Sequence, residues 1–314
     1  MPMKNARAFV RAAIESVLSE RTVGLELVVV DDGSTDGSRS VVEAIEDDRI
    51  VLIDGPRRGV SASFNTGLAA ASSQIIMCCD ADDLYQSGRI KAQVDWLRYN
   101  PHFDAVCGRF STMDSEGRFV ADLVCAPSQG QEEEITGELA AGVVRTHFCT
   151  FATRRQVFES VGCQREYFET AQDTDLQLRM SEKCRIMFLP QNFYRYRLHG
   201  ASITHQQANL RREFFESTAF SFHAQRKSGL ADSLMAGKPP SPPDVSQSSA
   251  MAADDQVFGM IVGTAWIRFN EGRLVSAIAT GAKLIGRYPF RFESWSSFCK
   301  LCVKSVLRRQ TPQS

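Results

Sequence analysis

Along the first hundred residues the apolar positions switch repeatedly between a helical period and short continuous runs. Phe9, Val10, Ala13, Ile14, Val17 and Leu18 fall at the i, i+3, i+4 spacing of an amphipathic helix, predicted over Ala6 to Leu18. Leu25 to Val30 is apolar except for Glu26 and stops at Asp31-Asp32-Gly33-Ser34-Thr35-Asp36-Gly37-Ser38, dense in turn and capping residues, which predicts a buried strand opening through a loop into a helix. The pattern then repeats: helix Ser38 to Ile45, strand Ile50 to Ile53, the loop Gly55-Pro56-Arg57-Arg58-Gly59, helix Ser61 to Ala71, and strand Gln74 to Cys79 with acids at its end. Strands alternating with helices imply βαβ units and a mainly parallel sheet covered by helices, with ligands at the carboxyl ends of the strands.

The second half is patterned differently. A helix from Arg89 to Tyr99 is stopped by Pro101, and Ala105 to Arg109 and Phe119 to Leu123, separated by a turn at Asp114 to Gly117, predict a small antiparallel insertion. Glu132-Glu133-Glu134 reads as a solvated helix start continuing through Leu139 to Val144. Phe148 to Ala152 and Arg185 to Leu189 read as strands, with a helix from Asp173 to Glu182 between them. A helix from Ala208 to Lys227 is followed by Met235 to Ala253, rich in proline and serine and read as a linker, then by helices Gln256 to Asn270, Leu274 to Gly286 and Trp295 to Arg309. The predicted division is one large domain over 1–205, in a parallel-patterned half 1–100 and a second half 101–205. A helical extension over 206–234, a flexible linker over 235–255 and a helical region over 256–314 follow it.

Composition removes some possibilities. With 314 residues, 43% of them hydrophobic, the chain can bury a sizeable core, and 36 basic against 37 acidic side chains give no overall field to recruit nucleic acid. Nine cysteines, an odd number, in a chain without a signal-like leader predict a reducing cytoplasm, and Cys299 and Cys302, an isolated C-x-x-C pair, read as structural. No apolar run approaches the roughly 20 residues that span a bilayer. Residues 295–309 set Trp295, Phe298 and Leu301 against Lys300, Lys304 and Arg308, so peripheral contact with an anionic membrane and packing on neighbouring helices are both open.

The chemistry is concentrated in acids at strand ends. Asp80-Ala81-Asp82-Asp83 follows Ile75-Ile76-Met77-Cys78-Cys79, and carboxylates two apart can offer oxygens to one hard divalent cation that bridges nucleotide phosphates; a solvated turn is the alternative. Asp31 and Asp32, at another strand end, can accept hydrogen bonds from a nucleoside. Asp173 and Asp175 open a helix, where aspartate is also a favoured N-cap.

Taken in order, Val28-Val29-Val30-Asp31-Asp32-Gly33-Ser34-Thr35-Asp36, Arg58-Gly59-Val60-Ser61-Ala62 with Asn65 and Gly67, Asp80-Ala81-Asp82-Asp83, and Gln172-Asp173-Thr174-Asp175-Leu176 resemble the inverting family 2 glycosyltransferases with a GT-A fold. Tyr196-Arg197-Leu198-His199 with Ser202 resembles that family's closing phrase, and the likeness runs from Met1 to about His205. The resemblance implies a nucleotide-sugar donor, a UDP-sugar foremost, held by Asp31, Asp32, Arg58, Asp80, Asp82 and His199. It implies Mg²⁺ or Mn²⁺ on Asp82 and Asp80, and Asp173 as the base acting on a hydroxyl of a saccharide or lipid-linked saccharide acceptor. Asp175 is the alternative base, Asp83 a helix cap, and Asn65 and Gly67 loop braces; His147 is placed near the acceptor cleft.

Three positions depart from the family pattern. The phrase Met1-Pro2-Met3-Lys4-Asn5 stands where the family has already completed an apolar strand lying between those ending at Asp32 and Asp80, so about ten residues are expected ahead of it. Gln172 replaces the usual glutamate and Phe64 a common arginine. A non-catalytic nucleotide-sugar-binding scaffold, to which the truncated start and Gln172 point, is therefore an alternative. A nucleotidyltransferase is a third reading, which the absence of Gly-x-x-x-x-Gly-Lys-Ser/Thr disfavours.

Overall fold

A computed structural model describes residues 1–123, 130–202, 207, 209–244 and 252–310. The chain forms two compact units: 1–111 with 123–197 and 207–250, and 112–122 with 198–206 and 251–314.

In the first unit a strand that was not expected, β1 (Pro2–Met3), precedes the expected alternation of α1 (Val10–Leu18), β2 (Leu27–Asp31), α2 (Ser38–Glu43), β3 (Ile50–Asp54) and α3 (Val60–Ala70). β1, β2 and β3 are parallel neighbours in that order, Leu27 lying opposite Ile50 and Pro2 opposite Val30. All five residues of β2 are buried, because α1 and α3 cover the sheet and Gly67 lets α3 approach: a Cβ there would stand 3.1 Å from Val30 Cγ2.

A second sheet of the order β4 (Ile75–Met77), β9 (Ala152–Arg154), β6 (Ala105–Met113), β10 (Ile186–Arg197) and β5 (Leu84–Tyr85) follows, with β7 (Phe119–Leu123) on β6 and β8 (Glu133–Glu134) on β10. β4 with β9, β9 with β6, and β10 with both β5 and β8 are antiparallel. The helices of this part are α4 (Arg89–Tyr99), α5 (Thr136–Ala140), α6 (Arg155–Val161), α7 (Gln172–Ser181) and α8 (Asn209–Lys227). β2 and β4 belong to different sheets, and between them lies a cavity of about 470 Å³.

Several local expectations are corrected. Phe148–Thr150 is a 3₁₀ turn, with the strand displaced to β9, because the His147 ring nitrogen captures the Cys149 amide and curls the chain. Glu133–Glu134 is a strand rather than a helix start: Arg185 and Arg145 neutralise the two carboxylates beside β10. β10 runs through Pro190 to Arg197, well past Leu189, and α6 had no predicted counterpart. Phe64 is buried against Phe148 and Phe158, ring centroids 6.0 and 5.9 Å away, an apolar setting in which an arginine would need a charged partner. In the segment read as a linker, the Pro240 carbonyl accepts from the Tyr167 hydroxyl at 2.7 Å, and residues 245–251 lie outside those described.

The second unit contains α9 (Ala253–Asn270), α10 (Leu274–Arg287) and α11 (Phe292–Gln310) beside the turn Asp114–Gly117. Burial pushes the Asp114 carboxyl up, but Arg118 at 2.8 Å and Arg287 at 2.5 Å bring it below its ordinary value. In the segment considered for membrane contact, Phe298 and Leu301 pack on Gly281 of α10 while Trp295 and Val303 are exposed. No helix among the described residues is long and apolar enough to cross a bilayer.

Candidate active site

The site begins at the carboxyl end of β2. Asp31 and Asp32 are buried there, as a strand running straight into acids requires. Asp31 accepts the Ser34 amide at 2.9 Å and lies 3.6 Å from Arg39. Asp32 spends one oxygen on the Arg57 amide at 2.7 Å and the other on the Gly59 amide at 2.9 Å, so it clamps the loop 55–59 under the sheet edge. Only glycine fits at position 55, where a Cβ would lie 2.9 Å from Asp32 Cα. Arg58, largely exposed at the end of that loop, pairs with Glu166 at 3.1 Å. Asn65 holds the neighbouring segment by exchanging bonds of 2.8 and 3.0 Å with the backbone of Gln164.

The acids after β4 turn sharply, the Asp83 amide donating to the Asp80 carbonyl at 3.3 Å. β10 braces the turn: the Asp80 amide donates to the Tyr194 hydroxyl at 3.1 Å, and the Arg197 guanidinium donates to the Asp82 carbonyl at 2.7 Å. Asp83 is not a helix cap, since the cap of α4 is Gly88; its buried carboxylate instead accepts the Arg197 amide at 2.6 Å. Burial raises the Asp80 carboxyl above its ordinary value, His147 and the Cys149 thiol oppose this, and Asp82 and Asp173 add to it. Burial also raises Asp83, with Asp82 and Asp80 pushing the same way.

His147 links the metal-type acids to α7. Its Nδ1 accepts the Cys149 amide at 3.2 Å, so the neutral ring carries its proton on Nε2, which lies 3.7 Å from Asp173 Oδ2. The ring stacks on Tyr194 with 14° between planes. The 3₁₀ turn that follows is fixed by two buried residues of α4: Arg89 donates to the Cys149 carbonyl, and Gln93 to those of Thr150 at 2.8 Å and Val106 at 3.1 Å. Sequence reasoning placed His147 only in the neighbourhood and missed Arg89, Gln93 and Tyr194, whose contacts with the 3₁₀ turn, His147 and Asp80 join parts of the chain far apart in sequence.

Asp173 stands in the first turn of α7, half-buried with 22% of its side chain exposed; the N-cap is Ala171, at φ +60°. Asp175 is fully buried and spends its oxygens on Arg165 and on Arg179, 2.9 Å away, which removes it as the alternative base. Glu216 of α8 accepts from Thr174 at 3.4 Å, its carboxyl raised by burial and then by Asp173. His199 belongs to the second unit, where it is buried and its carbonyl accepts the Ser202 amide at 3.2 Å.

The sequence profile described as Glycosyl transferase family 2 matches residues 1–162. The chain belongs to that family. An uncharacterized glycosyltransferase of Nostoc sp. is 28% identical over 215 residues, 63% of this chain and 63% of that protein, so the match spans less than two thirds of the relative's length. The Escherichia coli UDP-Glc:alpha-D-GlcNAc-diphosphoundecaprenol beta-1,3-glucosyltransferase WfgD is 31% identical over 125 residues, 38% of this chain and 49% of that one. Among solved structures, Staphylococcus aureus TarS 1–349 in complex with UDP-GlcNAc superposes with a TM-score of 0.59 at 13% identity, covering 96% of this chain and 77% of that one; this likeness concerns the fold. The family 2 chain thus has the GT-A fold that its motif order implied, and the acids of β2 and β4 lie within the matched region.

The family implies a divalent cation, and the donor set fits a hard one. Asp80 and Asp82 are two carboxylates on one braced turn; burial first, and then Asp82 and Asp173, penalise a bare charge on Asp80, a penalty that a cation bound there would offset. Among the described residues, ligand atoms of Cys78, Asp80 and Cys149 lie within 4.8 Å of one another, but burial raises the Cys149 thiol and keeps it a neutral donor, poorly suited to Mg²⁺ or Mn²⁺.

Proposed function

We propose that this family 2 glycosyltransferase moves a hexosyl group from a UDP-sugar to a hydroxyl of a saccharide or lipid-linked saccharide acceptor, with inversion at the anomeric carbon and Asp173 as the base. The carrying observation is a run of contacts between the two acids: His147 Nε2 lies 3.7 Å from Asp173 Oδ2, its Nδ1 accepts the Cys149 amide at 3.2 Å, and the Cys149 thiol donates to Asp80 Oδ2 at 3.4 Å.

In this reading Asp31 and Asp32 line the nucleoside end and Arg58 reaches toward the diphosphate. Asp82, with Asp80, would hold the cation, which when bound neutralises charge on the departing diphosphate. The acceptor oxygen attacks the anomeric carbon from the face opposite the diphosphate. The new C–O bond forms as the sugar–diphosphate bond breaks; the hydroxyl proton passes to Asp173, and the electron pair leaves on the nucleoside diphosphate. The His147 imidazole, stacked on Tyr194, stands 3.7 Å from the Asp173 carboxylate. His199 is assigned to the diphosphate by motif alone. The similarity to WfgD, a UDP-Glc:alpha-D-GlcNAc-diphosphoundecaprenol glucosyltransferase, supports the choice of a UDP-sugar and a lipid-linked acceptor.

Hydrolysis of a panel of UDP-sugars with Mn²⁺, together with donor binding by calorimetry, tests the assignment. Asp173→Asn should bind donor as the wild type does and lose turnover by at least about 100-fold, the scale of general-base catalysis. Asp82→Ala should lose metal-dependent donor binding. Turnover unchanged in both variants refutes the assignment, and donor binding without turnover in the wild type favours the scaffold reading.

A further inference from the structure

α11 packs on one face and is bare on the other, and both faces are apolar. Ser294, Leu301 and Ser305 are buried and Phe298 half-buried toward the bundle, where Phe298 and Leu301 close on Gly281 of α10: a Cβ there would lie 3.1 Å from each. A surface helix packed in this way carries polar residues on its opposite side. Here, at about 100° per residue, Phe292, Trp295, Cys299 and Val303 fall within about 80° of one another on that side. All four are exposed, Phe292 at 80%, Trp295 at 47% and Val303 at 59%, and Phe290, just ahead of the helix, is fully exposed. The Trp295 indole N–H donates to the Pro289 carbonyl at 2.8 Å, which ties the ring to the corner between α10 and α11.

The charge on this helix is mostly of one sign. It carries Lys300, Lys304, Arg308 and Arg309 against one acid, Glu293, which lies 3.7 Å from Arg291. Lys300 and Lys304 are exposed and follow one flank of the apolar stripe. Aromatic rings standing clear of a helix, with ammonium groups beside them, match a surface whose interior is hydrocarbon and whose rim is phosphate.

We propose that the exposed face of α11 seats on an anionic phospholipid bilayer, with Phe290, Phe292, Trp295 and Val303 entering the boundary between headgroups and acyl chains and Lys300 and Lys304 meeting lipid phosphates. The two readings of residues 295–309, packing on neighbouring helices and membrane contact, then hold together on opposite faces of one helix. The helix lies along the surface, since no helix among the described residues is long and apolar enough to cross it. A second copy of the chain fits this face less well. At the exposures given, three aromatic side chains and a valine offer roughly 500–600 Å², short of the about 800 Å² a side of a stable protein interface, and a two-fold axis through the stripe would set lysines against lysines. The seating goes beyond the proposed transfer reaction and does not depend on it.

Sedimentation of the full chain with vesicles tests the seating. Vesicles of equal parts phosphatidylglycerol and phosphatidylcholine should bind the wild type at least about 10-fold more tightly than phosphatidylcholine alone, since each lysine near an anionic surface contributes about five-fold. Lys300→Glu with Lys304→Glu should abolish that preference, and Phe292→Ser with Val303→Ser should weaken binding at least about 10-fold. Both double variants should melt within about 2 °C of the wild type, because the four positions are exposed. Bromine-labelled phosphatidylglycerol should quench the tryptophan fluorescence of the wild type, and Trp295→Phe should keep the binding and lose most of the quenching. Wild type that stays in the supernatant with both kinds of vesicle overturns the proposal, as does binding that the double variants leave unchanged. A dimer in vesicle-free buffer that Phe292→Ser with Val303→Ser dissolves assigns the face to a second copy and overturns it as well.

Discussion

Replacing Asp175 by asparagine separates the two acids of α7 most sharply. The carboxylate is fully buried and receives Arg165 Nε and Arg179 Nε, both at 2.9 Å, as well as a second Arg165 nitrogen. Arg165 and Arg226 also meet on Asp232, at 2.7 Å each. The amide keeps the shape but turns one acceptor into a donor facing a guanidinium, leaving a buried positive charge uncompensated. Breaking a buried pair in this way costs about 3–5 kcal/mol, and at about 2 °C per kcal/mol for a chain of this size Tm should fall by roughly 6–10 °C. Asp173→Asn, whose carboxylate has no hydrogen-bonded partner among the described residues and lies 3.7 Å from His147, should shift stability by no more than about 0.5 kcal/mol. Thermal melts and UDP-sugar hydrolysis on the same preparations check both. A variant Asp175→Asn that melts like the wild type while losing turnover would show that the roles of the two acids have been reversed.

Other outcomes follow from neighbouring contacts. Burial pushes the Asp232 carboxyl up, but the Met235 amide, Arg165 and Arg226 bring it below the ordinary value. Its stabilisation is therefore complete above about pH 4 and lost as pH falls through the depressed native value, so the Tm gap between wild type and Asp232→Asn should narrow from pH 6 to pH 3. His147→Gln should leave UDP-sugar binding intact, lower kcat by up to about 100-fold and change the shape of its pH profile; an unchanged profile with equally lost binding would make the histidine merely structural. Gly55→Ala drives a methyl to within 2.9 Å of Asp32 Cα and should cost about 1–3 kcal/mol on a denaturation curve, with weaker donor binding.

β2 and β3 were legible because each is an apolar run closed by acids and glycine, so period and punctuation agree; β1, two residues long, carries no such pattern and was not anticipated. The antiparallel half was less so. Pro190-Gln191-Asn192 reads as the end of a strand, yet β10 continues to Arg197 because its neighbours β5 and β6 supply partners. Phe148 to Ala152 satisfies both a strand and a 3₁₀ turn by composition, and what separates them is one side-chain bond from His147. The turn of α7 shows where a signal was present but unused. Residues two apart on a helix point about 200° from each other, so only one of Asp173 and Asp175 can face the core. Asp175 has arginine four positions on, at Arg179, whereas Asp173 has Gln177. An i, i+4 acid–arginine pair marks the acid held by structure. The acid without such an arginine, half-buried 3.7 Å from the His147 imidazole, is the one proposed as the base.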